Sequence, residues 1–316
     1  MLVPFCYSLS QFTLSLFSSS SLLSNLMHSI VCCLTTTLTI AITSCGPPPL
    51  PEEKVNTPAS APVRAEAYPG NTAPPAPEGI IPQDTSRHPL QALTAQTAGV
   101  NITYLSFDTR THTLAVIDQT GLGSQYQTAA EVTRATGALA TINGGFFTPE
   151  GQPLGLVYHN GKKAGATNNS SSLGSGVLYI DQKLANPILA RRDSIQKWLK
   201  DPAFDPKELL QTGPFLIENG RAISGLTNKE PRVRSFLLWD GKHHFAIAQC
   251  EPITLRNLAG ALATQPLSGF RIELALNLDG GRSADLNISS QVQGGPINLR
   301  RWWNKPVRNY LTVKPQ

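Results

Sequence analysis

The chain has 316 residues, a formal net charge of +5 at pH 7 and 41% hydrophobic residues, enough to form a sizeable core. The positive charge is mild and suits an anionic ligand or an anionic envelope surface. Lys and Arg form no stripe interleaved with aromatic residues, which excludes a nucleic-acid interface of the usual kind.

The first 45 residues are predicted to be a lipoprotein signal. No Asp, Glu, Lys or Arg precedes Glu52, and an apolar run over Ile30–Ile42 leads into Thr43-Ser44-Cys45. A short apolar segment that ends in small residues and a Cys is typical of such a signal. A membrane-spanning helix is less favoured, because the run is short and interrupted by hydroxyl side chains. We therefore expect an exported protein with a lipid anchor at Cys45, facing the periplasm or the cell surface, that starts at Met1 or Met27.

Residues 46–88 are predicted to be an extended tether. The segment contains Pro47-Pro48-Pro49 and Pro74-Pro75, and it has almost no large apolar residues. Such a composition cannot bury enough apolar surface to offset the entropy lost on ordering. The tether would hold the remaining residues, 89–316, away from the membrane as one domain.

Strand signals dominate that domain. Apolar, β-type runs occur at Ile102–Leu105 and Leu114–Ile117. Three Asn-Gly or Asp-Gly pairs, at 160–161, 219–220 and 240–241, lie between apolar runs and favour two-residue hairpins. We therefore expect a mixed, largely antiparallel β-sheet.

Helices are predicted in three places. Thr128 and Glu131 form a capping box, and Gly137 provides a stop for a short helix. Asp205–Glu208 repeats the box, with Pro at the first helical position. Apolar residues at helical spacing over Leu255–Leu262 indicate a third helix. Strands grouped with several short helices predict an α+β fold.

The first candidate site loop is Asn143–Phe147, which follows an apolar strand. Its glycines, Gly144 and Gly145, would let backbone N–H groups approach a ligand closely. A tight turn before an aromatic core residue is the alternative interpretation.

The second candidate loop is Asn277–Ser283, at the end of the apolar strand Ile272–Leu276. It places an acid, two glycines, a guanidinium and a hydroxyl where strands usually open onto ligands. Asp279 could serve as a general acid or base, as a nucleophile or as a ligand of a hard cation. The alternative is an Asp-Gly turn with solvated side chains.

Other catalytic patterns are missing from the sequence. Cys250 is the one cysteine beyond the signal, so it has no cysteine partner for an internal disulfide or a metal cluster. No Gly-x-Ser-x-Gly motif, zinc-ligand spacing, phosphate loop or dinucleotide fingerprint occurs.

Taken in order, the motifs resemble those of the phosphodiester glycosidase family. The matching segments, which together span about Asn101 to Val313, are Asn143–Phe147, Pro153–Leu156, Gly213–Gly220, Arg234–Gly241, Asn277–Ser283 and Pro306–Asn309. The chain departs from the family at Arg282, where relatives often have a small residue, and in the bulkier strand Arg234–Leu237.

The resemblance implies a hydrolase of sugar–phosphate glycosidic bonds, such as an N-acetylglucosamine linked through phosphate to another group, in the cell envelope. The implied substrate is a phosphorylated glycan or a small molecule that resembles a sugar nucleotide. A non-catalytic envelope lipoprotein that binds phosphoglycans is the alternative. A monomer is expected.

The resemblance also implies roles for individual residues. Asp279 would be the principal carboxylate, Arg234 would clamp the phosphate, and Asn277 would complete the catalytic set. Substrate-binding positions would be Asn143, Gly144, Gly145, Thr212, Gly213, Gly280, Gly281, Arg282 and Ser283. The backbone N–H groups of the two glycine pairs would line an anion cradle.

The second carboxylate and the stereochemical outcome have several candidates in the sequence. A second carboxylate is expected from the glycosidase pattern, with Glu150, Glu218, Glu273 and Asp285 as candidates. Retention or inversion depends on the separation of the two carboxylates. The sequence requires no cofactor, contains no recognisable metal site, and leaves a divalent cation open.

Overall fold

The computed structural model describes residues 90–183, 186–265, 267 and 270–316. The predicted lipoprotein signal, with its anchor at Cys45, and the predicted tether at 46–88 lie outside the described residues. Within the described ranges, no helix combines the length and the apolar character needed to cross a membrane.

The strands form three sheets, and every pairing between named strands is antiparallel. The first sheet consists, in spatial order, of β1 (Ala92–Thr97), β2 (Val100–Asp108), β13 (His244–Ile253), β12 (Arg232–Trp239), β14 (Leu274–Asn277), β10 (Phe215–Glu218) and β11 (Arg221–Ala222). The second consists of β16 (Ile297–Asn298), β15 (Leu286–Ile288), β4 (Ala140–Asn143), β17 (Asn309–Pro315) and β3 (His112–Asp118). The third consists of β6 (Lys162–Ala164), β5 (Val157–His159), β9 (Pro206–Thr212), β7 (Gly176–Asp181) and β8 (Pro187–Arg191).

The described helices are short: α1 (Ala129–Thr136), α2 (Asp193–Trp198), α3 (Leu255–Thr264) and two 3-10 turns, Ser172–Gly174 and Gly281–Ser283. The fold is therefore largely β. The predicted antiparallel character is confirmed and the α+β class agrees in broad terms, but three sheets replace one.

One apolar core lies between the three sheets. Leu237 of the first sheet, Ile142 of the second and Leu210 of the third belong to the same buried cluster. The other face of the first sheet packs against α3, where Phe236 and Leu258 share a second cluster. Successive residues of β12 thus point to opposite faces, and both faces are buried.

Two of the three predicted hairpin turns are confirmed as two-residue turns. Asn160 and Gly161 have φ of 48° and 74°, and Asn219 and Gly220 have φ of 51° and 71°. These left-handed conformations are the ones that Asn and Gly tolerate best. Asp240 also begins a hairpin, but its loop is longer, and its carboxylate accepts hydrogen bonds from the backbone N–H groups of Lys242 (2.8 Å) and His244 (3.0 Å).

Two helix predictions are confirmed and one is wrong. The Thr128 hydroxyl caps α1 by accepting from the Glu131 N–H at 3.1 Å, and Gly137 ends the helix at φ 64°. The segment Leu255–Leu262 lies within α3. Asp205–Glu208 forms no helix, because β9 begins at Pro206 and is paired on both edges. Burial on both faces of a central strand outweighs the local capping pattern.

Candidate active site

The two Gly-Gly loops are in direct contact. The Asp279 N–H donates to the Gly144 carbonyl at 3.0 Å, and the Asn143 side-chain amide donates to the Asp279 carbonyl at 2.6 Å. The first loop leaves the second sheet at the end of β4, whereas the second loop leaves the first sheet at the end of β14. Asp279 is therefore held where these two sheets meet.

Asn143 is the buried link between the loops. Its side-chain oxygen accepts from the Ser235 hydroxyl at 2.7 Å and from the Asp285 N–H at 3.0 Å. Together with the bond to Asp279, these contacts tie β4, β12 and the second loop together. The amide oxygen is fully engaged, so a substrate contact by Asn143 would have to use its remaining amide hydrogen.

The backbone N–H groups of Gly144 and Gly145 both donate to Asn309. The Gly144 N–H donates to the Asn309 carbonyl at 2.8 Å, and the Gly145 N–H donates to the Asn309 side-chain oxygen at 2.8 Å. A Cβ at Gly144 would lie 2.1 Å from that oxygen, so the close approach itself requires a glycine. The predicted anion cradle is therefore wrong for these two N–H groups, because Asn309 already occupies both donors.

The Asp279 carboxyl is partly exposed at the junction of the loops. Burial raises its pKa to about 6, although hydrogen bonds from the Ser283 hydroxyl and the Gly280 N–H, together with the charge of Arg232, favour the ionised form. The Gly280 N–H lies 2.8 Å from the carboxylate oxygen. A carboxyl with this pKa exchanges protons near neutral pH, as general acid–base catalysis requires.

Gly280 and Gly281 shape the turn around this carboxyl. A Cβ at Gly280 would lie 2.7 Å from the Val233 carbonyl, and Gly281 adopts φ of 61°. Both positions therefore disfavour a side chain. The 3-10 turn Gly281–Ser283 brings the Ser283 hydroxyl back to Asp279, and Arg282 on the same turn is exposed.

Arg234 is a buried cation beside this turn. Only 9% of the residue is exposed, and its Cδ lies 3.8 Å from the position that a Cβ of Gly280 would occupy. Its guanidinium donates to the carbonyls of Ile253 (3.0 Å) and Glu230 (3.1 Å), and it forms no ion pair with a carboxylate of the described residues. Burial lowers its pKa. A desolvated guanidinium without a carboxylate partner is well suited to an anionic ligand.

Thr212 and Gly213 lie against Asn277. The Thr212 hydroxyl donates to the Asn277 carbonyl at 3.2 Å, and the Asn277 amide donates to the carbonyls of Gly213 (3.1 Å) and Leu278 (2.6 Å). The side-chain oxygen of Asn277 is buried and accepts no hydrogen bond from the described residues. These residues therefore pack behind the Asp279 loop, with one acceptor of Asn277 unused.

The four candidates for a second carboxylate lie in different surroundings. The buried Asp285 accepts from the Ala129 N–H at 2.9 Å and from the Arg300 guanidinium at 2.8 Å, so its carboxylate faces the start of α1. Glu218 is paired with Arg191. Glu150 is exposed, and Glu273 lies at the opposite end of β14 from Asn277. Asp279 is therefore the carboxyl that both loops hold.

Three residues that support the site were not among the predicted site residues. Ser235 and Asn309 fix the first loop, and Arg300 pairs with Asp285. Asn309 closes a family motif, which was the one available signal for it. Across the described ranges, no three His, Cys, Asp or Glu side chains come together in a metal-binding group.

Comparisons with known proteins identify the family of the chain and solved structures with a similar fold. The family model described as phosphodiester glycosidase matches residues 136–314. The fold resembles the catalytic domain of zebrafish N-acetylglucosamine-1-phosphodiester α-N-acetylglucosaminidase, auto-inhibited by its pro-peptide, with a TM-score of 0.53 and 18% identity over 73% of this chain and 85% of that one. A hypothetical protein from Synechocystis has a TM-score of 0.48 and 16% identity over 72% of this chain and 62% of that one. No curated protein matches the sequence.

Proposed function

Because the chain belongs to the phosphodiester glycosidase family, we propose that it hydrolyses a glycosidic bond between a sugar and a phosphate. The proposed substrate is a glycosyl phosphodiester of the N-acetylglucosamine type in the cell envelope. The mildly basic charge of the chain, +5 at pH 7, suits such an anionic substrate.

One observation carries the proposal: a carboxyl with a raised pKa lies on a glycine turn that packs against the side chain of a buried arginine without a carboxylate partner among the described residues. The Asp279 carboxylate accepts the Gly280 N–H at 2.8 Å, and the Cδ of Arg234 lies 3.8 Å from the position that a Cβ of Gly280 would occupy. The reaction needs a base that accepts the proton of the water attacking C1 of the sugar and a cation that holds the phosphate. The two side chains supply these two requirements.

In the proposed reaction, a water oxygen forms a bond to C1 of the sugar while the bond from C1 to the phosphate oxygen breaks. The bonding electron pair leaves with the phosphate, which is a weak base and needs little acid assistance. Ionised Asp279 accepts the proton of the water and later releases it to solvent. Arg234 stabilises the phosphate charge that develops, and Ser283 helps to orient the sugar. Asn277 supports the Asp279 loop from behind through its bonds to the carbonyls of Gly213 and Leu278.

The test is release of free sugar by the full chain. UDP-N-acetylglucosamine and a methyl phosphodiester of N-acetylglucosamine serve as probes, and free N-acetylglucosamine is measured. We expect release by the wild type and none by Asp279→Asn. Asp193→Asn, which removes an exposed carboxylate on α2, serves as the matched control and should release sugar at the wild-type rate. Binding of both probes without release by the wild type would refute hydrolysis and favour a phosphoglycan-binding lipoprotein.

A further inference from the structure

Two neighbouring tryptophans face solvent. Trp302 is 91% exposed and Trp303 is 39% exposed. The other two tryptophans pack within aromatic groups, Trp198 against Tyr179 and Trp239 against Phe245. An exposed indole is unfavourable in water, and an aromatic surface of this kind often marks a binding site.

The segment that carries these tryptophans is fastened to the candidate catalytic loop. The Lys305 N–H donates to the Arg282 carbonyl at 2.9 Å, and the Asn304 amide donates to the Ala284 carbonyl. Arg300 adds the ion pair with Asp285 at 2.8 Å. Because these bonds reach Arg282 and the two residues after Ser283, the segment that carries the tryptophans lies beside the loop that carries Asp279.

The exposed surface is aromatic and basic. The two indole rings lie edge to face, with centroids 5.3 Å apart and planes at 84°. The Arg301 guanidinium lies 5.3 Å from the centre of the Trp303 ring. Neither Arg301 nor the adjacent Arg282 and Lys305 forms an ion pair with a carboxylate of the described residues.

We propose that Arg301, Trp302 and Trp303, the tryptophan platform, bind a further sugar of a glycan chain whose units are linked through phosphate. The apolar C–H face of a pyranose ring fits against an indole, while the phosphates between sugars meet the unpaired cations. The proposal rests on the proposed function, because it extends that substrate from one glycosyl phosphate to a chain. The link to the Asp279 loop favours a glycan over a membrane surface.

The experiment compares a long and a short ligand. The full chain carrying Asp279→Asn, which should leave the ligand intact, is titrated calorimetrically with an oligomer of N-acetylglucosamine 1-phosphate units and with UDP-N-acetylglucosamine. Adding Trp302→Ala should weaken oligomer binding about tenfold relative to UDP-N-acetylglucosamine binding, the size expected for losing one aromatic anchor. Leu199→Ala, another exposed apolar residue on a different element, should leave this ratio unchanged.

An unchanged affinity ratio in Trp302→Ala would overturn the proposal. If Trp302→Ala instead loses binding to anionic phospholipid vesicles while its binding to the oligomer is intact, the proposal is overturned in favour of a membrane contact. If the wild type binds the oligomer through Trp302 but releases no sugar from either ligand, the proposed hydrolysis fails and the platform stands. The two proposals can therefore fail separately.

Discussion

Replacing Asp279 with Asn should abolish hydrolysis and, at neutral pH, make the protein more stable. Burial raises the pKa of this carboxyl from 3.8 to about 6, so the folded protein binds the proton more tightly than the unfolded chain does. The sign follows from linkage: the free energy of unfolding falls as pH rises from about 4 to about 6, and the loss is complete above the folded pKa. An Asn keeps an oxygen that can accept the Gly280 N–H but carries no charge to desolvate.

The magnitude follows from the same shift. A rise of roughly two pKa units corresponds to about 3 kcal/mol at 1.36 kcal/mol per unit. Because Asp279 is partly exposed, solvent screens part of this penalty, and a gain of about 1–2 kcal/mol is expected for Asp279→Asn. The gain should be present at pH 7.5 and nearly absent at pH 3.5, where the carboxyl is protonated in the folded protein and mostly protonated in the unfolded chain.

Urea unfolding of wild type and variant at these two pH values measures the difference. The exposed Asp193→Asn removes the same charge without relieving burial, and it should show no comparable gain. The kinetic counterpart is a value of kcat/KM that rises with pH around 6, because the proposed base is the ionised form. Equal stability of Asp279→Asn and wild type at pH 7.5 would refute the burial argument, and a rate that falls through pH 6 would refute the base role.

Three further predictions concern other parts of the chain. Arg234→Lys should lower kcat/KM by about tenfold or more, because an ammonium cannot reproduce the guanidinium fork. Arg271→Lys, at a position whose side chain is 87% exposed, is the control, and equal losses in both would contradict a special role for Arg234. The ion pair of His159 with buried Glu208, 3.6 Å apart, raises the His159 pKa, so it should stabilise the fold below about pH 6.5 and lose that effect as pH rises through the folded pKa. Unfolding curves of His159→Gln at pH 6 and pH 8 check this, and an equal pH response in both proteins would contradict it. Cys45→Ala should remove palmitate labelling, and equal label in both proteins would exclude the anchor.

Local backbone requirements are the part of the fold that the sequence predicts well. Asn160-Gly161 and Asn219-Gly220 form two-residue turns because few other residue pairs adopt two successive positive φ angles easily. The cap at Thr128 likewise depends on atoms only three residues apart. Where the controlling contacts are distant the prediction fails, as at Asp205–Glu208, where pairing of β9 with β5 and β7 decides the conformation.

In the candidate site, too, the sequence shows the local backbone requirements but not the distant contacts. The glycine pairs identify the loops, since close approach and positive φ both demand glycine there. Which N–H groups remain free is decided by Asn309, which lies 164 residues from Gly145 in the sequence. The raised pKa of Asp279 depends on burial by several elements, and no local pattern around the residue encodes it. The exposure of Trp302 is equally invisible in the sequence, because most tryptophans pack inside proteins.

These contacts also indicate where substrate preference can vary. The Asn143 amide donates to the Asp279 carbonyl, and Gly144 packs so closely against Asn309 that no side chain fits there. A change at either position should therefore disturb the placement of Asp279. The Arg282 side chain, in contrast, is exposed, and its carbonyl accepts the Lys305 N–H. It therefore adds charge beside the segment that carries the tryptophan platform. We therefore expect differences in substrate between this chain and other family members to arise from the exposed residues, Arg282 and the tryptophan platform. Side chains there can change without disturbing the contacts between the two glycine loops.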